Sequence, residues 1–548
     1  MEYSYDIKSN IIAWYSFKKS DRILEISADD NLKDFFQNIA NDYTTIKIKK
    51  DNVFVNIKEE KITSKYDYII LIGSFEYSPL FMKNNNPYTE LLKYLKQFLN
   101  PKGKIIFSIN NRFGIKYFAG AKSKHYNNIF GSITNDININ NSNLLSKKEI
   151  IDIIANAGFK NYKFYYPVPD YRLTSAIFTD DFIPESSTSK LMYQLYYNEE
   201  SIILYNEIQA IKQICDSNLF DKMCNSYLVE ISKETIDNDI RFISYNNLRK
   251  DEYNLMIKID KSKAYKYSTC QESQKHLDDM KLNIEKLTDL GFNILEKVEN
   301  DIIISEFIKN DELDKIIVSL IKYNKTEEAI IKIKNWFDYI SSKLGNIDIN
   351  DVKENNIYNY FNIEVSDDML NKMNFTKYGF IDLSFENVFL IDNDYVFYDQ
   401  EWFFPNIPLE FIIYRAINNL YCYNETHINN FLKFDDMLKR FEIYEFKDSF
   451  NKLEKEIQNY IMDKSKVNNY VKKIPPIYNI EHILKRANDA EIVEELNRKL
   501  KEEKEELIEK NKKIEEENKK LSDNYNSLVQ SRSYRTIQKI KKILYRGK

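Results

Sequence analysis

Apolar and polar positions in the first 190 residues alternate in blocks that predict strands followed by helices. The short apolar runs predict strands and the amphipathic stretch at 88–99 predicts a helix. The predicted strands are 22–26, 46–48, 53–57, 68–73 and 104–109. Strands that alternate with helices indicate a parallel, doubly wound α/β sheet, and such sheets bind ligands at the carboxyl ends of their strands.

Four segments in this order resemble class I S-adenosylmethionine (SAM)-dependent methyltransferases. They are ILEISADDN, YDYIILIGSFEYSP, LKYLKQFLNPKGKIIFSINNRFGIKYFAGA and SKKEIIDIIANAGFKNYKFYYP. The resemblance implies a Rossmann-like methyltransferase domain over residues 1–190 with SAM as its cofactor. It also implies that the cofactor is bound by Glu25, Ser27, Ala28, Asp29 and Gly73.

Two departures from the family pattern leave a second interpretation open. The loop after the first strand, 27–31, contains no glycine, and lysines stand where an acidic residue would hold the ribose hydroxyls. The alternative is a methyltransferase fold that has lost its activity and serves as a scaffold.

The segment 110–120 follows the last buried strand and combines Asn-Asn-Arg with two glycines and three aromatic residues. It resembles a motif of methyltransferase-like proteins from bacterial surface-polysaccharide gene clusters. The resemblance implies that Asn110 and Arg112 are catalytic and that Asn111, Tyr117 and His125 contact the acceptor. An arginine suits an anionic acceptor. In the alternative interpretation Arg112 caps a helix and the aromatic residues belong to the core.

Behind a predicted helical connector at 191–219, residues 220–475 begin with strand-like runs and continue mainly as helices. The stretch YGFIDLSFENVFLIDNDYVFYDQEW places Asp382 five residues before Asn387, and Asp399 twelve residues after it. Phosphoryl transfer needs a carboxylate that positions the accepting hydroxyl and oxygen ligands that hold Mg²⁺ against the nucleotide. These three side chains supply such groups.

Their order and spacing resemble protein kinases and aminoglycoside-phosphotransferase-like enzymes, which implies a two-lobed α+β domain that binds ATP with Mg²⁺. By this resemblance Asp382 is the catalytic base and Asn387 and Asp399 are metal ligands. Lys266 and Glu306 then contact the nucleotide, with Glu285 on the following helix as the partner of the lysine. The chain departs from the pattern at 380–381 and at Gln400, and it has no glycine-rich phosphate loop. A pseudokinase is therefore the alternative.

The tail repeats apolar residues every seven positions, at Val493, Leu500, Leu507, Ile514, Leu521 and Leu528. This column, with Asn at several of the alternating core positions, predicts a coiled coil over 484–530 and hence a homodimer. The final segment, 531–548, contains seven Lys or Arg and no acidic residue. It predicts a basic amphipathic helix that contacts a membrane surface or a partner such as a glycosyltransferase.

Composition narrows the function classes. The net charge of −5 gives no indication of nucleic-acid binding, and four dispersed cysteines fit a reducing cytoplasm. We therefore expect a cytoplasmic transferase, peripheral at the inner face of the membrane, which joins methyl transfer to phosphotransfer on a glycan or a phosphorylated small molecule. The rival hypotheses are a kinase-like enzyme with an inactive front domain, and a non-catalytic scaffold organised by the coiled coil.

Overall fold

A computed structural model describes residues 7–28, 32–50, 53–126, 128–135, 144–185, 205, 207–308, 310–470 and 480–544. The chain divides into two compact units, Met1–Pro475 and Pro476–Lys548. Of the described helices, none has both the length and the apolar run that crossing a membrane requires.

Among the residues that the structure describes, the front part of the first unit contains nine strands. They are β1 (Arg22–Ser27), β2 (Asp42–Lys47), β3 (Lys49–Lys50), β4 (Val53–Phe54), β5 (Tyr66–Leu71), β6 (Leu99–Asn110), β7 (Asn161–Val168), β8 (Ala176–Thr179) and β9 (Ser226–Ser232). The helices that accompany them are α1 (Lys33–Ile39), α2 (Ser78–Phe81), α3 (Pro87–Lys96), α4 (Ile115–Phe118), α5 (Gly131–Thr134), α6 (Lys147–Asn156), α7 (Glu207–Asp216) and α8 (Phe220–Met223).

Strands β2, β1, β5 and β6 pair in this order and run parallel. The apolar run of β5 is buried on both faces of the sheet, because Ile69 and Leu71 pack into one core cluster and Ile70 packs into another. The expected doubly wound α/β sheet is therefore present in this part of the chain.

One strand that we expected in the rear domain belongs to the front part of the sheet. We expected the run 226–231 to open the rear domain, but it forms β9, which lies antiparallel between β6 and β7. The described part of the expected connector, α7, packs Ile211 and Cys215 into the front core. A boundary near residue 190 would therefore cut through this sheet, since β9 completes it from a point 36 residues further along.

The rear part of the first unit begins with antiparallel strands and continues mainly with helices. Its strands are β10 (Phe242–Tyr245), β11 (Leu255–Ile259), β12 (Lys263–Ser268), β13 (Asn293–Ile294), β14 (Lys297–Glu299), β15 (Ile302–Glu306), β16 (Phe375–Thr376), β17 (Gly379–Phe380), β18 (Val388–Ile391), β19 (Asp394–Phe397), β20 (Phe403–Phe404) and β21 (Ile407–Pro408). Its helices are α9 (Gln274–Asp289), α10 (Leu313–Lys322), α11 (Thr326–Leu344), α12 (Ile349–Val352), α13 (Ile357–Tyr360), α14 (Asp367–Leu370), α15 (Leu409–Ile428), α16 (Phe434–Arg440), α17 (Lys447–Ile461) and α18 (Lys464–Tyr470).

One sheet of 12 strands runs through both parts, in the order β14-β15-β12-β11-β10-β8-β7-β9-β6-β5-β1-β2. The joint is the antiparallel pair of β8 and β10, in which Ile243 lies opposite Ile177 and Ser244 opposite Ala176. The helices from α10 onward enclose a separate core of their own around Trp336, Phe385 and Tyr414. The strands of the rear part thus extend the front sheet.

The described part of the second unit, 480–544, contains two helices, α19 (Ile480–Gln530) and α20 (Arg532–Leu544). The apolar column predicted for a coiled coil lies along α19, and its leucines are solvent-exposed in the single chain, with Leu500 and Leu507 each 60% exposed. A long continuous helix with an exposed apolar column is what a coiled coil requires of each of its helices.

Candidate functional sites

The front sheet reverses its strand order between β1 and β5, and the residues expected to bind the cofactor lie at this point. Glu25 and Ser27 are buried at the carboxyl end of β1, and the hydroxyl of Tyr43 donates a hydrogen bond to the carboxylate of Glu25. Gly73 follows β5 with a φ of +74°, and its N–H donates to Ser108 Oγ at 2.9 Å. Open α/β sheets bind their ligands in the crevice at such a switch point.

The remaining cofactor residues are placed in part. Ala28 is partly buried next to Ser27, whereas Asp29 lies outside the described residues. A Cβ on Gly73 would lie 3.7 Å from the ring of Tyr171, so this ring covers the end of β5. Tyr171 therefore borders the crevice, and nothing in its sequence context indicated this.

A buried polar cluster lies at the same edge of the sheet. Its members come from the ends of β5, β6 and β7 and from the loops that follow these strands: Glu76, Asn110, Lys116, His125, Asp170 and Arg172. Asn110 Nδ2 donates to Glu76 Oε2 at 3.0 Å, and Lys116 Nζ donates both to Asn110 Oδ1 and to Asp170 Oδ2 at 2.9 Å. The expected residues Asn110 and His125 thus meet four charged residues that the sequence did not single out.

Both carboxylates of the cluster are stabilised in their ionised form. Burial raises the pKa of Glu76, but His125, Arg172 and Asn110 outweigh burial and bring the pKa to about 2. Burial likewise raises the pKa of Asp170, and Lys116 and Arg172 outweigh it to give a pKa of about 2. The cluster is a charged network whose side chains compensate one another, and Arg172, 28% exposed, is its most accessible member.

The other expected acceptor residues have structural contacts. Arg112 Nε donates to the carbonyl oxygen of Leu144 at 3.0 Å, and its Nη2 lies 3.1 Å from Glu149 at the start of α6. Asn111 Nδ2 donates to the carbonyl oxygens of Lys222 and Cys224 and so fixes the chain that leads into β9.

Tyr117 is buried in a small apolar cluster with Tyr126 and Leu144. The burial of Tyr117 fits the alternative interpretation of a core aromatic residue, whereas Arg112 contacts a loop carbonyl oxygen and Glu149 and does not cap α6, whose N-cap is Ser146. The segment 110–120 therefore brings Asn110 to the site, while the cation nearest to Asn110 is Lys116.

In the rear part, Lys266 on β12 is buried between two carboxylates. Its Nζ lies 2.7 Å from Glu296 Oε1 and 2.5 Å from Asp399 Oδ1. Burial lowers the pKa of Lys266, but Asp399 and Glu296 outweigh burial and hold the pKa well above its usual value, so the amine stays charged. Glu285, which we expected as the partner, is exposed on α9, and Glu296 takes that place.

Asp382 is buried close to this pair. Its Oδ2 accepts hydrogen bonds from the backbone N–H groups of Glu401, at 3.0 Å, and Trp402, at 2.8 Å. Arg415 Nη2 lies 3.7 Å from Oδ1. Burial, together with the nearby carboxylates of Glu401 and Asp399, raises the pKa of Asp382 to about 7, although Arg415 opposes the rise.

Asn387 connects the two aspartates. Its Nδ2 donates to the carbonyl oxygen of Asp382 at 3.1 Å and lies 3.5 Å from that of Asp399. Asp399 has a left-handed backbone, with a φ of +57°, which Asp tolerates better than most residues. The hairpin β18–β19 between them returns the chain, so the three expected side chains and Lys266 meet at one place.

Several residues around this place were not apparent from the sequence, and one expected residue lies at its margin. Glu306 is exposed at the end of β15. Arg249, from the connection between β10 and β11, forms an ion pair with the buried Glu401, and Arg415 pairs with Glu454 Oε2 at 2.5 Å. Ion pairs between distant segments leave no spacing signal, because each partner belongs to a different element.

Carboxylates outnumber lysine and arginine side chains among the residues named in this cluster. The carboxylates are Glu296, Asp382, Asp399, Glu401 and Glu454, and the cations are Lys266, Arg249 and Arg415. Among the described residues, no group of three or more His, Cys, Asp or Glu side chains is arranged to hold a metal ion by itself. Mg²⁺ usually takes one or two protein ligands together with water and phosphate oxygens, as Asn387 and Asp399 could provide.

No family model and no curated protein matches the sequence. Solved structures similar to it include SAM-dependent methyltransferases from Thermotoga maritima (12% identity, 42% of this chain and 87% of that one, TM-score 0.22) and Archaeoglobus fulgidus (13%, 39% and 87%, 0.23). A third is phosphoethanolamine N-methyltransferase 2 from Haemonchus contortus (11%, 40% and 51%, 0.23). By its own strand order, the front part contains a Rossmann-like, doubly wound α/β sheet.

Proposed function

We propose that the rear part of the chain binds ATP with Mg²⁺ and transfers a phosphoryl group to a hydroxyl acceptor. The observation that carries this proposal is the convergence of Lys266 on β12 with Asp382, Asn387 and Asp399, which lie on one continuous stretch around the hairpin β18–β19. Lys266 would hold the nucleotide phosphates, Asn387 and Asp399 would hold the metal, and Asp382 would orient the acceptor hydroxyl and take its proton. ATP supplies the phosphoryl group.

Calorimetric titration with ATP, with and without Mg²⁺, tests this proposal. Asp399→Asn keeps a residue that tolerates the left-handed backbone and should weaken Mg²⁺-dependent binding, because it removes a charged ligand. Asp382→Ala should leave nucleotide binding largely intact and abolish transfer. Asp394→Asn, an exposed position on the same hairpin, is the matched control. If wild-type protein binds no ATP, or binds it without regard to Mg²⁺ and to Asp399→Asn, the proposal fails.

We propose methyl transfer from SAM as the activity of the front part. Its support is the position of Glu25, Ser27 and Gly73 at the switch point of a methyltransferase-like sheet, beside a buried polar cluster that could receive an acceptor. Titration with SAM should give saturable binding that Glu25→Gln weakens and Asp42→Asn, an exposed position on the neighbouring strand, leaves unchanged. Absence of binding to the wild-type protein would favour the scaffold alternative.

The acceptor we propose is a glycan or a phosphorylated small molecule of a bacterial surface polysaccharide. The resemblance of the segment 110–120 supports the glycan, and Lys116 and Arg172 in the buried cluster support an anionic group. Incubation of candidate sugar phosphates with SAM or ATP, followed by mass spectrometry of the products, tests this. Transfer to neutral sugars alone would contradict the anionic acceptor.

We propose that the protein is a cytoplasmic homodimer held by α19, with α20 at a membrane surface or on a partner such as a glycosyltransferase. The exposed apolar column of α19 supports dimerisation, and the basic residues of α20 beside the exposed Ile537 and Ile540 support the second contact. Vesicle flotation with and without anionic lipid separates a membrane contact from a protein partner.

A further inference from the structure

The connection between β10 and β11, residues 246–254, is held against the helical part of the molecule by its own backbone. Lys250 N donates to the carbonyl oxygen of Ile461 at 3.1 Å, and Asp463 N donates to that of Leu248 at 2.9 Å. Lys466 Nζ donates to the carbonyl oxygen of Arg249 at 3.0 Å. These bonds fix the position of Arg249 relative to the end of α17 and the start of α18.

The side chain of Arg249 reaches into that site. Its Nη1 hydrogen-bonds to the carboxylate of Glu401, and its guanidinium carbon lies 5.8 Å from the ring centroid of Trp402. The backbone N–H groups of these two residues hold the carboxylate of Asp382, and Glu401 stands two residues after Asp399. The guanidinium therefore lies beside the residues that follow Asp399 and hold the carboxylate of Asp382, and it remains 23% exposed.

Lys250, the next residue in the same connection, has its amine against an aromatic ring outside the proposed site. Lys250 Nζ is 5.3 Å from the ring centroid of Tyr460 on α17. The two consecutive basic residues therefore differ in what they face, and only Arg249 is turned toward the carboxylates of the site. This difference provides a matched control within the connection.

A nucleotide site needs groups that hold the phosphates from the side of the strands. In glycine-rich loops backbone N–H groups do this, because glycine allows a close approach. The connection 246–254 contains no glycine, and its backbone is already bonded to Ile461 and Asp463. A side chain has to replace the missing backbone contacts, and the planar fork of arginine matches phosphate oxygens in geometry and charge.

We propose that Arg249 binds the phosphate oxygens of the nucleotide in the rear site and replaces the glycine-rich loop that the chain lacks. Glu401 holds Nη1 and orients the guanidinium, and the remaining N–H groups of the fork face the phosphates. Lys266 on β12 then holds the phosphates together with Arg249. The inference rests on the proposed phosphotransfer function, because it assigns a residue to the nucleotide of that same site.

Binding of ATP with Mg²⁺ and of adenosine, which lacks phosphates, to the full-length protein tests this role. Arg249→Met should weaken ATP binding roughly tenfold to a hundredfold, the effect of one or two charge-assisted hydrogen bonds, and change adenosine binding by less than about twofold. Arg249→Lys should keep part of the affinity, because it retains the charge and loses the fork. Lys250→Met should change neither ligand.

Arg249→Met leaves Glu401 buried without its cation and could unfold the protein. The double variant Arg249→Met/Glu401→Gln removes both charges, and its ATP-to-adenosine affinity ratio is then compared with that of Glu401→Gln alone. Equal losses for ATP and adenosine, or no loss for either, would overturn the phosphate-binding role. If wild-type protein binds no ATP, the phosphotransfer proposal fails and this inference fails with it. If wild-type protein binds ATP and Arg249→Met binds it equally well, only the inference fails.

Discussion

Strand β9 makes the front fold dependent on residues beyond 190, so truncation at that point should prevent folding. The side chains of Leu228, Val229 and Ile231 are completely buried in the wild-type protein. Burying each contributes about 1.5–3 kcal/mol, which gives about 5–9 kcal/mol for the three. Domains are stable by about 5–15 kcal/mol in total, so the loss of this strand removes most or all of the stability.

Polar contacts of β9 add to this loss. Glu230 is buried and accepts hydrogen bonds from the hydroxyls of Tyr15 and Tyr165, each at 2.7 Å, and it lies 2.6 Å from Lys104 Nζ. Without β9 these three donors lose their common acceptor inside the protein, and unsatisfied buried polar groups are costly. The strands β6 and β7 also lose the backbone hydrogen bonds that each of them forms with β9.

Thermal unfolding followed by circular dichroism compares residues 1–190 with residues 1–250, which include β9 and β10. We expect no cooperative transition in the shorter chain and a cooperative one in the longer chain. In the full-length protein, Val229→Asp should lower the free energy of unfolding by several kcal/mol, because it buries a charge. Val298→Asp, 43% exposed on the edge strand β14, should change it by about 0.5 kcal/mol or less. Cooperative unfolding of residues 1–190 with a midpoint near that of residues 1–250 would refute this reasoning.

Three further predictions concern other parts of the chain. Light scattering should report a dimer for the full-length protein and a monomer for a chain ending at 475, since the exposed apolar column lies in α19; a monomeric full-length protein would contradict it. Of the four cysteines, Cys422 alone is exposed, so a thiol reagent should modify one cysteine quickly under native conditions and the others only after unfolding. The folded pKa of Asp170, about 2, lies below its ordinary value of 3.8, so the stabilisation from its pairing with Lys116 is present above pH 4 and is lost as pH falls from about 4 to 2. Denaturant unfolding at pH 5, 4, 3 and 2 should show this loss, and Asp170→Asn should flatten the pH dependence.

The sequence alone was sufficient to predict those features that depend on the residues of one short segment. One such feature is the apolar run of β5, which is buried in the structure. Another is the spacing of Asp382, Asn387 and Asp399, which lie close together in the structure. Hydrophobic periodicity and the spacing around a hairpin both act over a few residues. Such features can be read from one sequence.

Sheet membership and ion pairing could not be predicted in the same way. An apolar run such as 226–231 fits a buried strand in the front or the rear part of the sheet, and only the long-range pairing with β6 and β7 decides its position. The partner of Lys266 was sought on the following helix, whereas Glu296 lies just beyond β13. We expected Arg112 to be the cation of the acceptor site. Instead, Arg112 pairs with Glu149 at the start of α6, and Lys116 is the cation beside Asn110.

The shared sheet places the two proposed sites on adjoining connections. The loop between β7 and β8 carries Asp170 of the front cluster, and its Ser175 carbonyl oxygen accepts from Tyr245 N at 2.8 Å at the end of β10. Two residues further along, Asn247 Nδ2 donates to the carbonyl oxygen of Thr174 at 2.8 Å, in the same connection that carries Arg249 to the rear site. A displacement of this connection would therefore act on hydrogen bonds of the front loop as well as on the pair formed by Arg249. The pairing of β8 with β10 and these hydrogen bonds therefore link the loop that carries Asp170 to the connection that carries Arg249.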